Sequence, residues 1–363
     1  MNRTMRQGFF PALHAMPVVR DAPVPVCHDG EALVKVHMAS ICNLTDTHTI
    51  EGLHPPHHLW IDHFENPPNS FPAPMGHEAG VEVLEVGRGV RGLKPGDRAF
   101  TVRASEMFAE YAVIQPGDAT LIPDGISWDV AAPLEMLTAV WPVVEECVRP
   151  GDRVVILGQG ASGLIATQLA RLNGAAQLIV VEPHAYRREL GLQLGADVAL
   201  DPGAVDVEAA VVELTGGGAH AVIECVGSPE TLGLTVRLLK RKGLSDEGYG
   251  GIIGVFGACR QPAPFDFMML HWKGARICTA AGSRFGYTNY SRLACVNLAE
   301  RGLFRFEPLI THKFPLEALP LAFDMIMQHS DRFVKVLVDP WGPLAAAAAG
   351  PEAYRVYDEA RGW

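Results

Sequence analysis

The chain has 363 residues, 48% of them hydrophobic and 20% charged, and carries a formal net charge of −11. That length is large for one hydrophobic core, so two domains are expected. The acidic balance argues against a nucleic-acid or anionic-membrane partner, and no apolar run reaches the roughly 20 residues a membrane helix needs. The seven cysteines, scattered from Cys27 to Cys295 without a CxxC pair, do not read as a disulfide framework. Arg3 and Arg6 precede no continuous apolar core, so the N-terminal stretch does not read as a secretory signal, and cytoplasmic residence is the default expectation.

Residues 1 to about 150 read as β-rich. Ala32–Met38 and Gly80–Val86 alternate apolar and polar side chains, Lys94-Pro95-Gly96-Asp97-Arg98 signals a turn into another strand, and Phe108–Ile114 is a further short strand. Many short strands broken by Gly and Pro suggest a barrel-like β domain. One helix is expected from Trp128 to Cys147, bent at Pro133 and Pro142.

The pattern then changes. Val154–Leu157 is an apolar run without alternation, as a strand buried on both faces reads. Gly158-Gln159-Gly160-Ala161-Ser162-Gly163 follows at once, then a helical spacing from Leu164 to Asn173, then the strand Leu178–Val181 ending on Glu182. Strand, glycine turn, helix, strand and acid are in the order a dinucleotide site requires. Glu182 lies 19 residues past Gly163, suited to a ribose 2′-OH and hostile to a 2′-phosphate, so NAD is expected over NADP. With Gly158, Gly160, Ala161, Ser162 and Gly163, the residues Glu182, Arg187 and Val226 make up the expected cofactor-binding set. Strands near 195–200, 219–227, 251–257 and 276–283, with helices at Tyr186–Leu194 and Pro229–Lys240, extend a doubly wound parallel sheet. A helix near Asn289–Arg301 and a strand at Val334–Val338 come next, and the segment beyond Pro340 is biased and poorly patterned, readable as an appendage or an oligomer contact.

The first part of the chain also holds Cys42, Thr45, Asp46, His48, His77, Glu78 and Glu135. Thiolate, imidazole and carboxylate together are what Zn²⁺ takes in catalytic sites, with one position left open. Each residue alone has an ordinary reading as well: a buried thiol, a satisfied core histidine, a helix-surface carboxylate. Spacing does not decide between the two readings.

Several motifs in order resemble the medium-chain dehydrogenase/reductase superfamily, in its zinc-dependent alcohol and polyol (sorbitol and threonine dehydrogenase-like) branch. They are Gly30–Val36 leading to Ile41-Cys42, Thr45-Asp46-Thr47-His48, Gly76-His77-Glu78-Ala79-Gly80, Lys94–Ala99, the nucleotide segment, and Ile223–Gly227. The resemblance implies an α/β protein: a GroES-like β-rich catalytic domain from residues 1–150 and 286–340, a doubly wound parallel Rossmann sheet from 151–285, and a C-terminal extension from 341 to 363. It implies Cys42, His77 and Glu135 as ligands of one catalytic zinc. Glu78 is implied as a neighbouring acid able to enter or leave the metal shell, Thr45 as the hydroxyl that receives the substrate proton, and His48 as the group that passes the proton on. The implied reaction moves hydride between NAD and a secondary alcohol or polyol, and a homodimer or homotetramer is the implied assembly.

Three departures from the family pattern stand out. Three residues, not two, separate Cys42 from Asp46, so strict alignment would put Asn43 at the ligand position; a one-residue bulge that keeps Cys42 on the metal is the preferred reading. No cysteine lies between Arg98 and Glu110, so the four-cysteine structural zinc lobe is missing and at most one zinc is expected. The stretch from Glu51 to Pro72 is long; His54, His57, His58 and His63 are set there among prolines, and a loop offering Trp60 or Phe64 to the substrate is preferred over a second metal site. A zinc-free reductase of the same superfamily and a non-catalytic NAD-binding protein are the alternative readings.

Overall fold

The structure, a computed structural model, describes residues 3–52, 71–102, 104–240, 250–259, 261–280, 288–344 and 349–356. It divides into two compact units, Met1–Glu135 with Val296–Tyr357, and Met136–Cys295. Among the described residues, no helix is long and apolar enough to cross a membrane.

The first unit begins with β1 (Thr4–Phe10), β2 (Val18–Pro23), β3 (Ala32–Ser40), α1 (Thr45–Glu51), β4 (Ala73–Pro74) and β5 (Glu78–Val86). It continues with β6 (Arg98–Thr101), β7 (Tyr111–Ile114), β8 (Ala119–Leu121), α2 (Trp128–Ala131) and the start of α3 (Leu134–Cys147). The single bent helix expected from Trp128 to Cys147 is in fact two. Proline at 133 has no N–H to donate and its ring crowds the carbonyl four residues back, so the chain breaks after Ala131 and restarts at Leu134. Pro142 is carried inside α3.

β3 is the spine of this unit. Its side chains alternate, with Ala32, Val34 and Val36 wholly buried, as a half-covered strand requires. It pairs antiparallel with β5, with β7 and, at its far end, with a strand from the C-terminal part of the chain. Phe10 and Phe108 both meet Phe323 edge to face in the core beneath it. Full burial of such a side chain stabilises by roughly 1.5–3 kcal/mol.

The second unit holds the rest of α3, then β9 (Arg153–Leu157), α4 (Ala161–Leu172), β10 (Gln177–Val181), α5 (Ala185–Gln193), β11 (Val198–Leu200) and α6 (Val207–Thr215). β12 (Ala221–Glu224), α7 (Pro229–Leu238), β13 (Ile252–Val255), α8 (Phe267–Lys273), β14 (Arg276–Thr279) and the first part of α9 (Asn289–Glu300) complete it. Its strands pair in parallel in the order β11-β10-β9-β12-β13-β14. The order reverses between β9 and β12, the switch point where an open sheet of this kind leaves a crevice beyond its strand ends. The central strands β9 and β10 are runs of Val, Ile and Leu covered on both faces, which is why the sequence shows no alternation there, whereas the edge strand β14 is largely exposed.

The chain then returns to the first unit with β15 (Ile310–Pro315), α10 (Leu319–Gln328) and β16 (Lys335–Asp339). Helices α6, α8 and α10 and strand β15 carry no strong motif and go beyond the elements read from the sequence. Among the described residues past Pro340, Trp341 Nε1 donates to the Val36 carbonyl at 2.8 Å, and Tyr354 lies against Phe314.

Candidate metal centre and nucleotide site

Strand pairing brings the first constellation together. In the β3–β5 ladder Ser40 lies opposite Glu78, so Cys42, two residues beyond the end of β3, faces His77, the residue just before β5. Gly76 adopts a left-handed φ of +80°, and a Cβ there would lie 3.0 Å from Phe108. A side chain at 76 is excluded both by conformation and by space, and the turn it permits presents His77. Sulfur of Cys42, a ring nitrogen of His77 and a carboxylate oxygen of Glu78 all lie within 4.8 Å of one another.

The extra residue after Cys42 is absorbed locally. Asp46 Oδ2 accepts from the Cys42 backbone N–H at 2.9 Å, and the Thr45 N–H points at Cys42 Sγ at 3.3 Å. Asn43, the competitor for the ligand position, donates its side-chain amide to the Val334 carbonyl at 3.2 Å. Thr45 and His48 are half-buried residues of α1, three positions apart and therefore on one side of the helix.

Glu135 sits in the first turn of α3 and is buried. It is not one of the three residues whose ligand atoms converge within 4.8 Å, but it is close enough for its charge to act on His77. Burial disfavours a charged His77; the hydrogen bond to Cys42 and the charges of Cys42, Asp46 and Glu135 outweigh it and hold the imidazole well above its ordinary pKa. Burial also pushes Asp46 up to about 6, in spite of the neighbouring His77. Three acids and a thiol crowd around one imidazole, an arrangement short of positive charge. Glu78 Oε1 is buried without a hydrogen-bond partner, whereas Glu78 Oε2 faces Lys335 Nζ at 2.6 Å. A soft thiol, an imidazole, carboxylates with an unpartnered oxygen and a deficit of positive charge together fit Zn²⁺.

Lys335 is the residue the sequence reading missed. It opens β16, which pairs with the end of β3, and its ammonium also donates to the Ile41 carbonyl at 2.9 Å. A lysine at the head of the apolar run Val336-Leu337-Val338 was the available signal. His54, His57, His58, His63, Trp60 and Phe64 lie outside the described residues.

The glycine turn of the second unit is built as its residue types demand. Gly158 leaves β9 with φ of +88°, and a Cβ there would lie 2.7 Å from Val226. A Cβ on Gly163 would lie 1.9 Å from the Gly158 carbonyl, so only glycine lets α4 pack against β9. Gly160, at the N-cap of α4, has open space where its Cβ would be and supplies no side-chain cap, as a bound anion at that end would require. Glu182 is buried; Oε2 accepts from the Gln159 N–H at 2.7 Å and Oε1 from the His184 N–H at 3.0 Å. Arg187 lies against the Tyr186 ring in the first turn of α5. Ala161 and Ser162 occupy the first turn of α4, and Val226 is half-exposed in the turn after β12. That turn is held by Glu224, part of the Ile223–Gly227 motif but given no role by the sequence, whose Oε1 accepts from the N–H groups of Val226 and Gly227 at 2.8 Å each.

Comparison with known proteins agrees with both units. A family model described as an alcohol dehydrogenase GroES-like domain matches residues 28–124, and one described as a zinc-binding dehydrogenase matches residues 161–298. The L-threonine 3-dehydrogenase of Pyrococcus abyssi is 30% identical over 333 residues, 84% of this chain and 89% of that protein. An alcohol dehydrogenase of Cupriavidus necator is 26% identical over 369 residues, covering 88% and 94%. Among solved structures, a zinc-binding dehydrogenase of Sinorhizobium meliloti bound to NADP aligns at a TM-score of 0.78 and 27% identity, covering 93% of this chain and 100% of that one. The 2R,3R-butanediol dehydrogenase of Bacillus subtilis, at a TM-score of 0.78 and 24% identity over 93% and 99% of the two chains, shares the fold. The matched GroES-like and zinc-binding dehydrogenase models, with a relative at 30% identity over most of both chains, place this protein in the zinc-dependent medium-chain dehydrogenase superfamily.

Proposed function

We propose that the chain is a zinc- and NAD-dependent oxidoreductase that interconverts a secondary alcohol or polyol and its ketone. The observation that carries this reading is the convergence of Cys42, His77 and Glu78 beside buried Glu135, in a pocket of negative charge with too few cations. Relatives named L-threonine 3-dehydrogenase and alcohol dehydrogenase support the substrate class. Cys42, His77 and Glu135 would hold the metal, and Glu78, already paired with Lys335, would stay outside or exchange in. A bound Zn²⁺ supplies Lewis acidity, which lowers the pKa of an alcohol hydroxyl and polarises a ketone.

The chain's own residues do the rest. Thr45 receives the hydroxyl proton, and His48, on the same side of α1, passes it towards solvent. Oxidation then balances as alcohol plus NAD⁺ giving ketone, NADH and a proton, with the hydride leaving the carbinol carbon for the nicotinamide ring. Gly158, Gly160, Ala161, Ser162 and Gly163 would seat the pyrophosphate at the start of α4, with Val226 beside them. Glu182 and Arg187 would meet the adenosine ribose, and the carboxylate of Glu182 favours a 2′-OH over a 2′-phosphate. The relative bound to NADP favours the second reading, in which the phosphorylated cofactor is used.

Full-length protein purified without chelator tests the reading. About one zinc per chain by elemental analysis, together with NAD reduction on a panel of secondary alcohols and polyols, is the expected result. A folded, metal-free protein that binds NAD without turnover overturns it in favour of a non-catalytic binder. Metal-free reduction of activated double bonds would make it a zinc-free reductase. Assembly as a homodimer or homotetramer is part of the proposal, and light scattering measures it.

A further inference from the structure

Cys147 and Cys278 are far apart in sequence and have no place in the proposed chemistry, which draws on α3 only through Glu135 at its start. Cys147 is the last residue of α3 and is buried; Cys278 is a half-exposed residue of β14. The sheet register brings them together. Gly254 of β13 pairs with Cys278 of β14, and paired residues of neighbouring strands project to the same face. A Cβ on Gly254 would lie 2.9 Å from Cys147 Sγ and 2.7 Å from Val143, so α3 rests on the sheet at the position where glycine removes the side chain. Cys147 Sγ thereby occupies the gap directly beside Cys278, and the two thiols share a hydrogen bond. Alternation accounts for the choice of face: Ile277, one residue earlier, pairs with Ile253, whose side chain belongs to the apolar cluster with Val211 and Val236.

We propose that Cys147 and Cys278 form an oxidisable dithiol, a modification site at which a peroxide closes a disulfide between the end of α3 and β14. The exposed partner is the one poised to react. The hydrogen bond with Cys278, reinforced by burial, pushes the Cys147 thiol above its usual range, and the same bond holds Cys278 below it. The Cys278 thiolate therefore attacks the peroxide, and the thiolate is the nucleophile in such steps. Cys278–S⁻, a proton and H₂O₂ give the sulfenic acid and water. Cys147–SH then displaces hydroxyl from that sulfur, forming the S–S bond and a second water. Two thiols are oxidised by two electrons and one peroxide is reduced. None of the other five cysteines faces a second thiol in the described residues: Cys42 converges with His77 and Glu78, half-buried Cys225 and buried Cys295 are pushed up by burial, and Cys259 and Cys27 meet backbone carbonyls.

The test uses the full-length chain, reduced, exposed to hydrogen peroxide, alkylated with iodoacetamide and digested without reductant. The expected product is a peptide pair joined through Cys147 and Cys278, lighter than the reduced pair by two hydrogen atoms and separated again by dithiothreitol. Alkylation at the two positions should fall in step. In Cys147→Ala, Cys278 should accumulate as a sulfenic acid trapped by dimedone. Because position 147 is in the core, Cys278→Ser supplies the control at a half-exposed site, and there the cross-link must vanish while Cys147 stays reduced. Unchanged alkylation of Cys278 at a peroxide dose that oxidises Cys27 or Cys259 overturns the proposal. So does a Cys278 joined mainly to any cysteine other than Cys147.

Discussion

Lys335 Nζ lies 2.6 Å from Glu78 Oε2, and both side chains are almost wholly shielded from solvent. The pair exists because β3 is flanked at its end by β5 on one side and β16 on the other, so that the first residues of both strands meet. A buried pair of this kind is worth little against an apolar replacement, but removing one partner leaves a charge without compensation. Lys335→Met should therefore lower stability by about 3–5 kcal/mol. The double variant Lys335→Met with Glu78→Gln should recover a large part of that loss. Denaturant midpoints of the chelator-treated proteins measure it, and equal loss in single and double variants would show that the ion pair is not the cause.

A second buried network reports on acid. His312 Nε2 meets Asp331 Oδ2 at 3.1 Å, and Arg355 donates to Asp331 from Nε and from Nη2, each at 2.6 Å. Burial holds the His312 imidazole below its usual pKa, with Asp331 opposing only partly. For Asp331 burial acts upward, but the hydrogen bonds from Arg355, the Arg332 N–H and His312 win and hold the carboxyl low. Both folded-state values lie below their unfolded ones, so both groups contribute stability above the unfolded pKa that is lost as pH falls. Stability should decline below about pH 6.5 as unfolded His312 takes up its proton, and more steeply below about pH 4 as unfolded Asp331 does. Asp331→Asn should cost about 1–3 kcal/mol at neutral pH and flatten the lower phase. Urea melts from about pH 2.5 to 8 follow it, and an unaltered slope in the acid phase would refute the assignment.

Gly163→Ala places a Cβ 1.9 Å from the Gly158 carbonyl, a contact with backbone that a side-chain rotation cannot relieve. The variant should lose NAD affinity by at least tenfold because the glycine turn and the start of α4 must separate. Isothermal titration with NAD reads the change directly, with circular dichroism to confirm that the chain still folds. Gly160→Ala meets no protein atom, so any loss of affinity there reports on the ligand alone.

Glu182→Ala separates cofactor choice from turn structure. Its two oxygens accept from the N–H groups of Gln159 and His184, so the substitution loosens the turn as well as removing a negative charge. Affinity for NAD should fall, and the ratio of NADP to NAD affinity should rise. A ratio that stays constant would mean that Glu182 only braces the turn.

Cys42→Ala and Glu135→Ala should each deplete zinc and abolish turnover, whereas Asn43→Ala, which removes only a bond to the Val334 carbonyl, should keep the metal. Elemental analysis distinguishes these outcomes. Zinc retained in Cys42→Ala and lost in Asn43→Ala would move the ligand to position 43.

Much of this molecule is written in local pattern. The run Val154–Leu157, the glycines at 158, 160 and 163, and the acid at 182 are all consequences of backbone conformation and close approach. Such constraints act within a few residues, so the chain displays them in order. The alternation in β3 and β5 is equally local, because a half-covered strand dictates it. Local pattern predicts a bend at Pro133, and the missing N–H makes it a full interruption. Tertiary structure decided the rest. Whether three residues after Cys42 displaced the thiol from His77 depended on the β3–β5 register and on Asp46 capturing the Cys42 N–H, neither of which spacing encodes. The Lys335–Glu78 pair joins residues 257 positions apart, and the Cys147–Cys278 pair rests on a glycine in a third element. These contacts arise from sheet register across the fold, a long-range property to which each residue's own neighbours in the chain are indifferent.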